Sequence, residues 1–199
     1  MAIAFFLMSA TGASVQAQED PPMQLQALNT ASDTVRPADS VAEVDFAPKS
    51  QPSLHVMRAV GEIEMDGDLG DPGWRGAARA DGISTNFPEE MGRPEVESEV
   101  LVTYDDDNLY LAFIAYDDPS AIRASLRDRD EMWQDDYFGI LLDTYGDASW
   151  AVYLFANPYG VQGDTRFAVT SGEDSSYDLL YYTEGKITET GYVIEMRVP

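Results

Sequence analysis

Apolar and polar positions alternate along residues 97–104, with Ser98, Val100, Val102 and Tyr104 on one side and Glu97, Glu99, Leu101 and Thr103 on the other. Asp105-Asp106-Asp107-Asn108 interrupts the pattern, and Leu109, Leu111, Phe113 and Ala115 then alternate with Tyr110, Ala112, Ile114 and Tyr116. A period of two belongs to a strand, where successive side chains point to opposite faces. Short polar side chains that bond back to the backbone make the intervening turn, so the two runs predict a β-hairpin. Phe138–Leu142 is a continuous apolar run of the buried-strand type. Trp150, Val152 and Leu154 alternate with Ala151, Tyr153 and Phe155. Tyr192, Ile194, Met196 and Val198 alternate with Val193, Glu195 and Arg197, just after the turn residues Glu189-Thr190-Gly191. No stretch of similar length repeats every 3.6 residues. Asp118–Met132 has room for a short helix or a helical turn, with Pro119 suited to its first position. The prediction is an all-β fold, an antiparallel β-sandwich with a short helix or helical turn in a connection, over residues 54–199.

The rest of the chain reads differently. Ala2–Met8 is a short apolar run, followed by small residues and then by Val15-Gln16-Ala17 ahead of polar Gln18-Glu19-Asp20. This is the order of a secretory signal over residues 1–17, although no Lys or Arg precedes the apolar run. The run is too short to span a bilayer. The alternative is a frayed apolar terminus of a cytosolic protein. Export predicts a periplasmic, outer-membrane or cell-surface location. Residues 18–53 are dominated by Gln, Ala, Ser, Asp and Pro and hold no sustained period, which predicts a disordered linker. The last strand pattern runs into Pro199 with no polar tail, as expected of a domain cut before its edge or of a strand that ends the chain.

Charge and composition narrow the chemistry. Among 199 residues, 12 Lys+Arg face 36 Asp+Glu, a formal charge of −24. Such a field repels phosphate backbones and excludes nucleic acid as a partner. There is no cysteine, hence no thiol nucleophile, disulfide or thiolate metal site. The single histidine, His55, rules out a multi-histidine metal centre. Carboxylate chemistry, hard cations, and recognition by rings and hydrogen bonds are left.

Three stretches carry a resemblance. Met65-Asp66-Gly67-Asp68-Leu69-Gly70-Asp71-Pro72-Gly73-Trp74 resembles the opening of carbohydrate-binding module family 9. The hairpin 100–117, with Tyr104-Asp105 and Asn108-Leu109-Tyr110-Leu111-Ala112, is similar to the hairpin of those modules. Arg127-Asp128-Arg129-Asp130-Glu131, Asp135-Asp136, Phe138–Thr144 and Phe155–Asp164 resemble the version at the N-terminus of bacterial proteins that continue into an outer-membrane barrel-like region. Together they cover about residues 60–199. The resemblance implies a β-sandwich that binds polysaccharide or oligosaccharide of xylan or glucan type, in carbohydrate catabolism and often beside xylan-degrading enzymes. It also implies structural calcium in some relatives.

Within the motifs, Asp66-Gly67 makes a turn, and Asp71-Pro72 reads as an N-cap with a helix-compatible proline that sets Trp74 onto the sandwich as a structural plug. Sugar recognition needs an aromatic face for the pyranose, rimmed by amide, carboxylate or Arg groups. Trp133, in a polar loop, is the first stacking candidate and Tyr159 the second, whereas Trp150 alternates with core positions. Asn157, Gln162 and Arg129 are candidate hydroxyl ligands; the alternatives are turn contacts for the amides and local pairing with aspartates for the arginine. Asp117, Asp118, Asp128, Asp130, Asp135 and Asp136 form an acidic group suited to calcium, or else a solvated acidic surface. A non-catalytic binding domain is the expected function. The alternatives are a part of a larger glycoside hydrolase working with two carboxylates, and an assembly domain of an outer-membrane protein.

Overall fold

The computed structural model describes residues 53–86 and 88–199, Phe46 and Pro48, and the backbone of Ala2–Met8. The expected signal cleavage at 15–17 and almost all of the expected linker lie outside the described residues. The fold is the expected sandwich. One sheet has the order β1-β5-β6-β7-β8, formed by Ala2–Met8, Tyr137–Asp143, Trp150–Ala156, Gln162–Ala168 and Gly172–Asp174. The other has the order β2-β3-β4-β10-β9, formed by Ala78–Ala80, Glu97–Tyr104, Leu109–Tyr116, Gly191–Val198 and Tyr182–Thr188. Every pairing between these strands is antiparallel. We call them the first and second sheets.

Alternation decides what lies between them. Val100, Val102, Leu111, Phe113, Ile194 and Met196 from the second sheet meet Phe138, Ile140, Leu142 and Leu154 from the first. The rings of Phe113 and Phe138 stack across the sheets at 5.0 Å. The hairpin falls where its pattern places it, with Asp105 Oδ1 accepting from the Asp107 and Asn108 amides to close the turn.

The expected helical turn in a connection is present, but at Pro72–Trp74 and not in residues 118–132. Residues 118–132 hold no helix; Asp118 instead accepts from the amide and hydroxyl of Ser120 in a tight turn, and the Arg123 amide donates to Asp136 Oδ2. The one helical turn among the described residues is a 3-10 turn at Pro72–Trp74. Asp71 precedes that turn but does not cap it with its side chain, because its Oδ2 accepts from the Glu64 amide at 2.7 Å.

The second sheet is covered on its outer side too. Leu101, Tyr110 and Ala112 face outward but are buried beneath Trp74, Ile63, Met65 and Leu69. Trp74 is the structural plug expected from the sequence, closing a second, smaller core. Glu195, from the same outer face, is fully buried there. Its carboxylate accepts from Trp74 Nε1 at 2.9 Å, the Asp66 amide at 2.9 Å and the Gly67 amide at 2.7 Å. Burial raises its pKa above the ordinary carboxylate range, against the pull of those donors.

Candidate aromatic binding face

Outward-facing positions of the first sheet carry rings. Tyr137 of β5 and Tyr153 and Phe155 of β6 alternate with the core residues Phe138 and Leu154, which places them on the outer face. Trp133, just before β5, lies against them. Its ring centroid is 5.7 Å from Tyr137 and 5.3 Å from Phe155, at interplanar angles of 87° and 81°. Tyr137 and Phe155 meet at 5.6 Å and 88°, and Tyr153 stacks on Phe155 at 5.9 Å and 12°. Edge-to-face and offset contacts of this kind are the favourable arrangements for π systems. Burial raises the pKa of the Tyr137 hydroxyl.

Two glycines make room for this layer. Phe155 is the cross-strand partner of both Gly139 and Gly163. A Cβ at Gly139 would overlap the Phe155 ring, and one at Gly163 would lie 3.1 Å from the Trp133 indole. The loop before Trp133 is tied to the same strand, with the Asp130 amide donating to the Gln162 carbonyl and the Asp164 amide to Asp130 Oδ1, both at 3.0 Å. Met132 turns inward and is fully buried, and Trp133 turns outward with 43% exposure.

The expected polar ligands are placed nearby but are occupied. Asn157 is fully buried: its amide nitrogen donates to the Ser125 carbonyl and Asp135 Oδ2, and its oxygen accepts from the amides of Tyr159 and Val161. It builds the β6–β7 turn and presents nothing to a ligand. Gln162 donates to the Tyr181 carbonyl at 2.9 Å and accepts from Arg129 Nη1 at 2.7 Å. Arg129 also donates to Asp164 and to the Leu179 carbonyl, and its guanidinium lies 5.3 Å from the Tyr181 ring centroid. Tyr159 sits at the tip of the turn with 46% exposure, away from the ring contacts of Trp133.

The six aspartates do not converge. Asp117 accepts from the Asp118 amide, Asp118 from Ser120, Asp130 from the Asp164 amide, and Asp135 from Ser125 and Asn157. Asp136 Oδ2 accepts from the Arg123 amide, leaving Oδ1 buried without a partner, while Asp128 is exposed. Among the described residues, the group of acids with oxygens close enough to share an ion is Asp130, Asp164 and Asp178, within 4.8 Å of one another. Arg129 already supplies their cation: it is bonded to Asp164 and lies 3.6 Å from Asp178 and 3.9 Å from Asp130. With Arg129 among them, these three carboxylates fall short of the six to eight oxygens that calcium takes.

Sequence reasoning selected Trp133 but missed Tyr137, Tyr153 and Phe155. Their signal was the run of rings on the non-core side of two adjacent strands.

The fold is a β-sandwich that carries an aromatic layer on the outer side of its first sheet. The family model for carbohydrate family 9 binding domain-like proteins matches residues 65–199, and the chain belongs to that family. No curated protein matches the sequence. Two solved structures resemble it. One is a carbohydrate binding module family 9 from Caldicellulosiruptor kristjanssonii in complex with cellotriose, with 20% identity and a TM-score of 0.49, covering 72% of this chain and 66% of that one. The other is such a module from the same organism in complex with glucose, with 18% identity, a TM-score of 0.48 and coverages of 72% and 67%. The chain thus spans about two thirds of those structures.

Proposed function

We propose that this domain binds carbohydrate without cutting it, through the outer face of the first sheet, with Trp133 as the stacking residue. The observation that carries this reading is the 43% exposure of an indole fixed by two perpendicular rings and seated over Gly163. A ring held in this way loses little freedom when a pyranose lies on it, which is how pre-organisation favours binding. Membership of a carbohydrate-binding family supports the same reading. The ligand is an uncharged polysaccharide or oligosaccharide of the glucan or xylan type, because a formal charge of −24 opposes acidic glycans.

Isothermal titration of the full chain with cellotetraose and xylotetraose tests it. Trp133→Ala is expected to weaken binding by about tenfold or more, since stacking dominates such contacts. Normal affinity in that variant removes the indole from the site. Release of reducing sugar by the purified chain would replace the reading with a hydrolytic one. We propose export directed by the leader-like residues 1–17, whose removal would take β1 from the edge of the first sheet and leave β5 as that edge; recovery of the expressed chain from the cytosol with Met1 or Ala2 as its first residue would overturn it.

A further inference from the structure

At the other end of β6 the same sheet carries a second aromatic site. A cleft of about 710 Å³ opens there between the β5–β6 turn and the β7–β8 turn. Trp150 and Tyr177 supply its rings, and Asp147, Arg166 and Thr170 supply its polar rim. Trp150 is half-buried against the main core and backed by Tyr145, whose ring centroid is 5.6 Å away. Arg166 lies over Tyr177 at 5.1 Å and is held by Asp174 at 3.1 Å.

The turn forming one wall is built rather than loose. Asp143 is buried, and its carboxylate accepts from the amides of Tyr145, Gly146 and Ala148 at 3.2, 2.6 and 2.9 Å. Ala148 is thereby held at φ 55°, a left-handed conformation that costs a non-glycine residue energy and recurs at ligand sites. Asp147 in turn accepts from the amide and hydroxyl of Ser149 through Oδ1. Trp150 and Phe155 are five residues apart on one strand, so their Cα atoms lie roughly 17 Å apart and their side chains leave opposite faces of the sheet.

We propose that this cleft is a second carbohydrate site, taking one pyranose of an uncharged glycan against Trp150, with its hydroxyls on Asp147, Arg166 and Thr170. The proposal deepens the binding reading above and rests on it for the class of ligand. The reason to place a sugar here is chemical. Rings and a mixed acid–base rim line one open cleft here, with Arg166 held in place by Asp174 and Asp147 by Ser149. With Asp147 and Asp174 beside Arg166 in a strongly acidic chain, a uronate carboxylate is disfavoured relative to a neutral ring.

The chain has three tryptophans, and Trp74 is buried, so in full-length Trp133→Phe the indole open to ligand is Trp150. Titration of that variant with cellotetraose and xylotetraose is expected to shift its fluorescence and to give one bound sugar per chain where the parent gives two. Arg166→Ala and Tyr177→Ala are each expected to weaken the remaining event by about tenfold, with far-UV circular dichroism unchanged. Trigalacturonate is expected to produce no shift. If Trp133→Phe shows neither heat nor a shift while the parent binds, or if Arg166→Ala and Tyr177→Ala leave the parent's stoichiometry and both affinities unaltered, the cleft proposal falls and the Trp133 reading stands. If Trp133→Phe binds as the parent does and Arg166→Ala abolishes all binding, the Trp133 reading falls and the cleft remains. A parent chain that binds none of the neutral sugars overturns both.

Discussion

The two sheets treat their outer faces in opposite ways, and one tryptophan on each shows how. Trp74 covers the second sheet, is 5% exposed, and has its indole nitrogen bonded to the buried Glu195. Trp133 covers the first sheet and is 43% exposed, in perpendicular contact with the rings of Tyr137 and Phe155. The first arrangement joins a ring, a carboxylate and the Asp66–Gly67 turn into one closed unit. The second is a layer of ring contacts with nothing laid over the indole among the described side chains. A buried acceptor that engages the covering segment closes a sheet face, and ring contacts alone leave the covering ring partly open.

Breaking the closed side has the largest expected effect. Trp74→Ala should cost about 3–5 kcal/mol in urea unfolding, since it removes a large buried ring and leaves Glu195 one donor short. A loss below about 1 kcal/mol would show that the smaller core does not need its plug. Trp133→Ala, removing only partly buried ring contacts, should cost about 1–2 kcal/mol in the same measurement. The contrast between the two variants is the test of the comparison.

Glu195→Gln sharpens the same contrast through pH. A folded-state pKa above the ordinary value near 4.5 means that the folded chain holds this proton more tightly than the unfolded chain. The stability it contributes is full below that ordinary value and is lost as pH rises through the folded one. Gln cannot accept from three N–H groups with both head atoms, so the variant should lose about 1–3 kcal/mol. The gap in melting temperature between parent and variant should be widest in acid and narrow toward neutrality. A gap that does not change with pH would remove Glu195 from the pH response. Asp105, Asp118 and Asp174 run the other way: the amides of Asp107 and Ser120 and the Ser176 hydroxyl lower their pKa values. Their contribution is present above the ordinary aspartate value and is lost as pH falls, so both proteins should melt earlier in strong acid.

On the open side, Gly163→Val inserts a branched side chain beneath the indole, where even a Cβ would be 3.1 Å away. It should weaken sugar binding by about tenfold while costing about 1–3 kcal/mol of stability. Unchanged affinity would mean that the seat of Trp133 does not matter. The smallest effect expected is that of calcium, which should move the melting temperature by less than about 1 °C because the six candidate aspartates do not converge and Arg129 neutralises the closest trio. A rise of several degrees would reopen the acidic cluster.

Strands with a clean alternation and aspartate-rich turns were legible: the 97–116 hairpin, β5, β6 and β10 all lie where their patterns place them. β7 and β9 were not, because Gly163, Asp164 and Arg166 in one, and Glu184, Gly185 and Lys186 in the other, hide the period. The three-residue strands β2 and β8 are too short to show one. Trp133 was legible as an aromatic in a polar loop. The roles of Asn157 and Arg129 were not, since their partners Asp135 and Asp164 lie 22 and 35 residues away.

The sequence by itself determined the sandwich and which side of each patterned strand faces the core, because backbone alternation and turn chemistry act over two to four residues. Only the tertiary structure decided which outward faces are covered. Glu195 sits on the polar side of its strand and is nevertheless fully buried, because Trp74, 121 residues away, is brought over it. Local pattern sets the direction of a side chain, and chain return over long distances sets what it meets there.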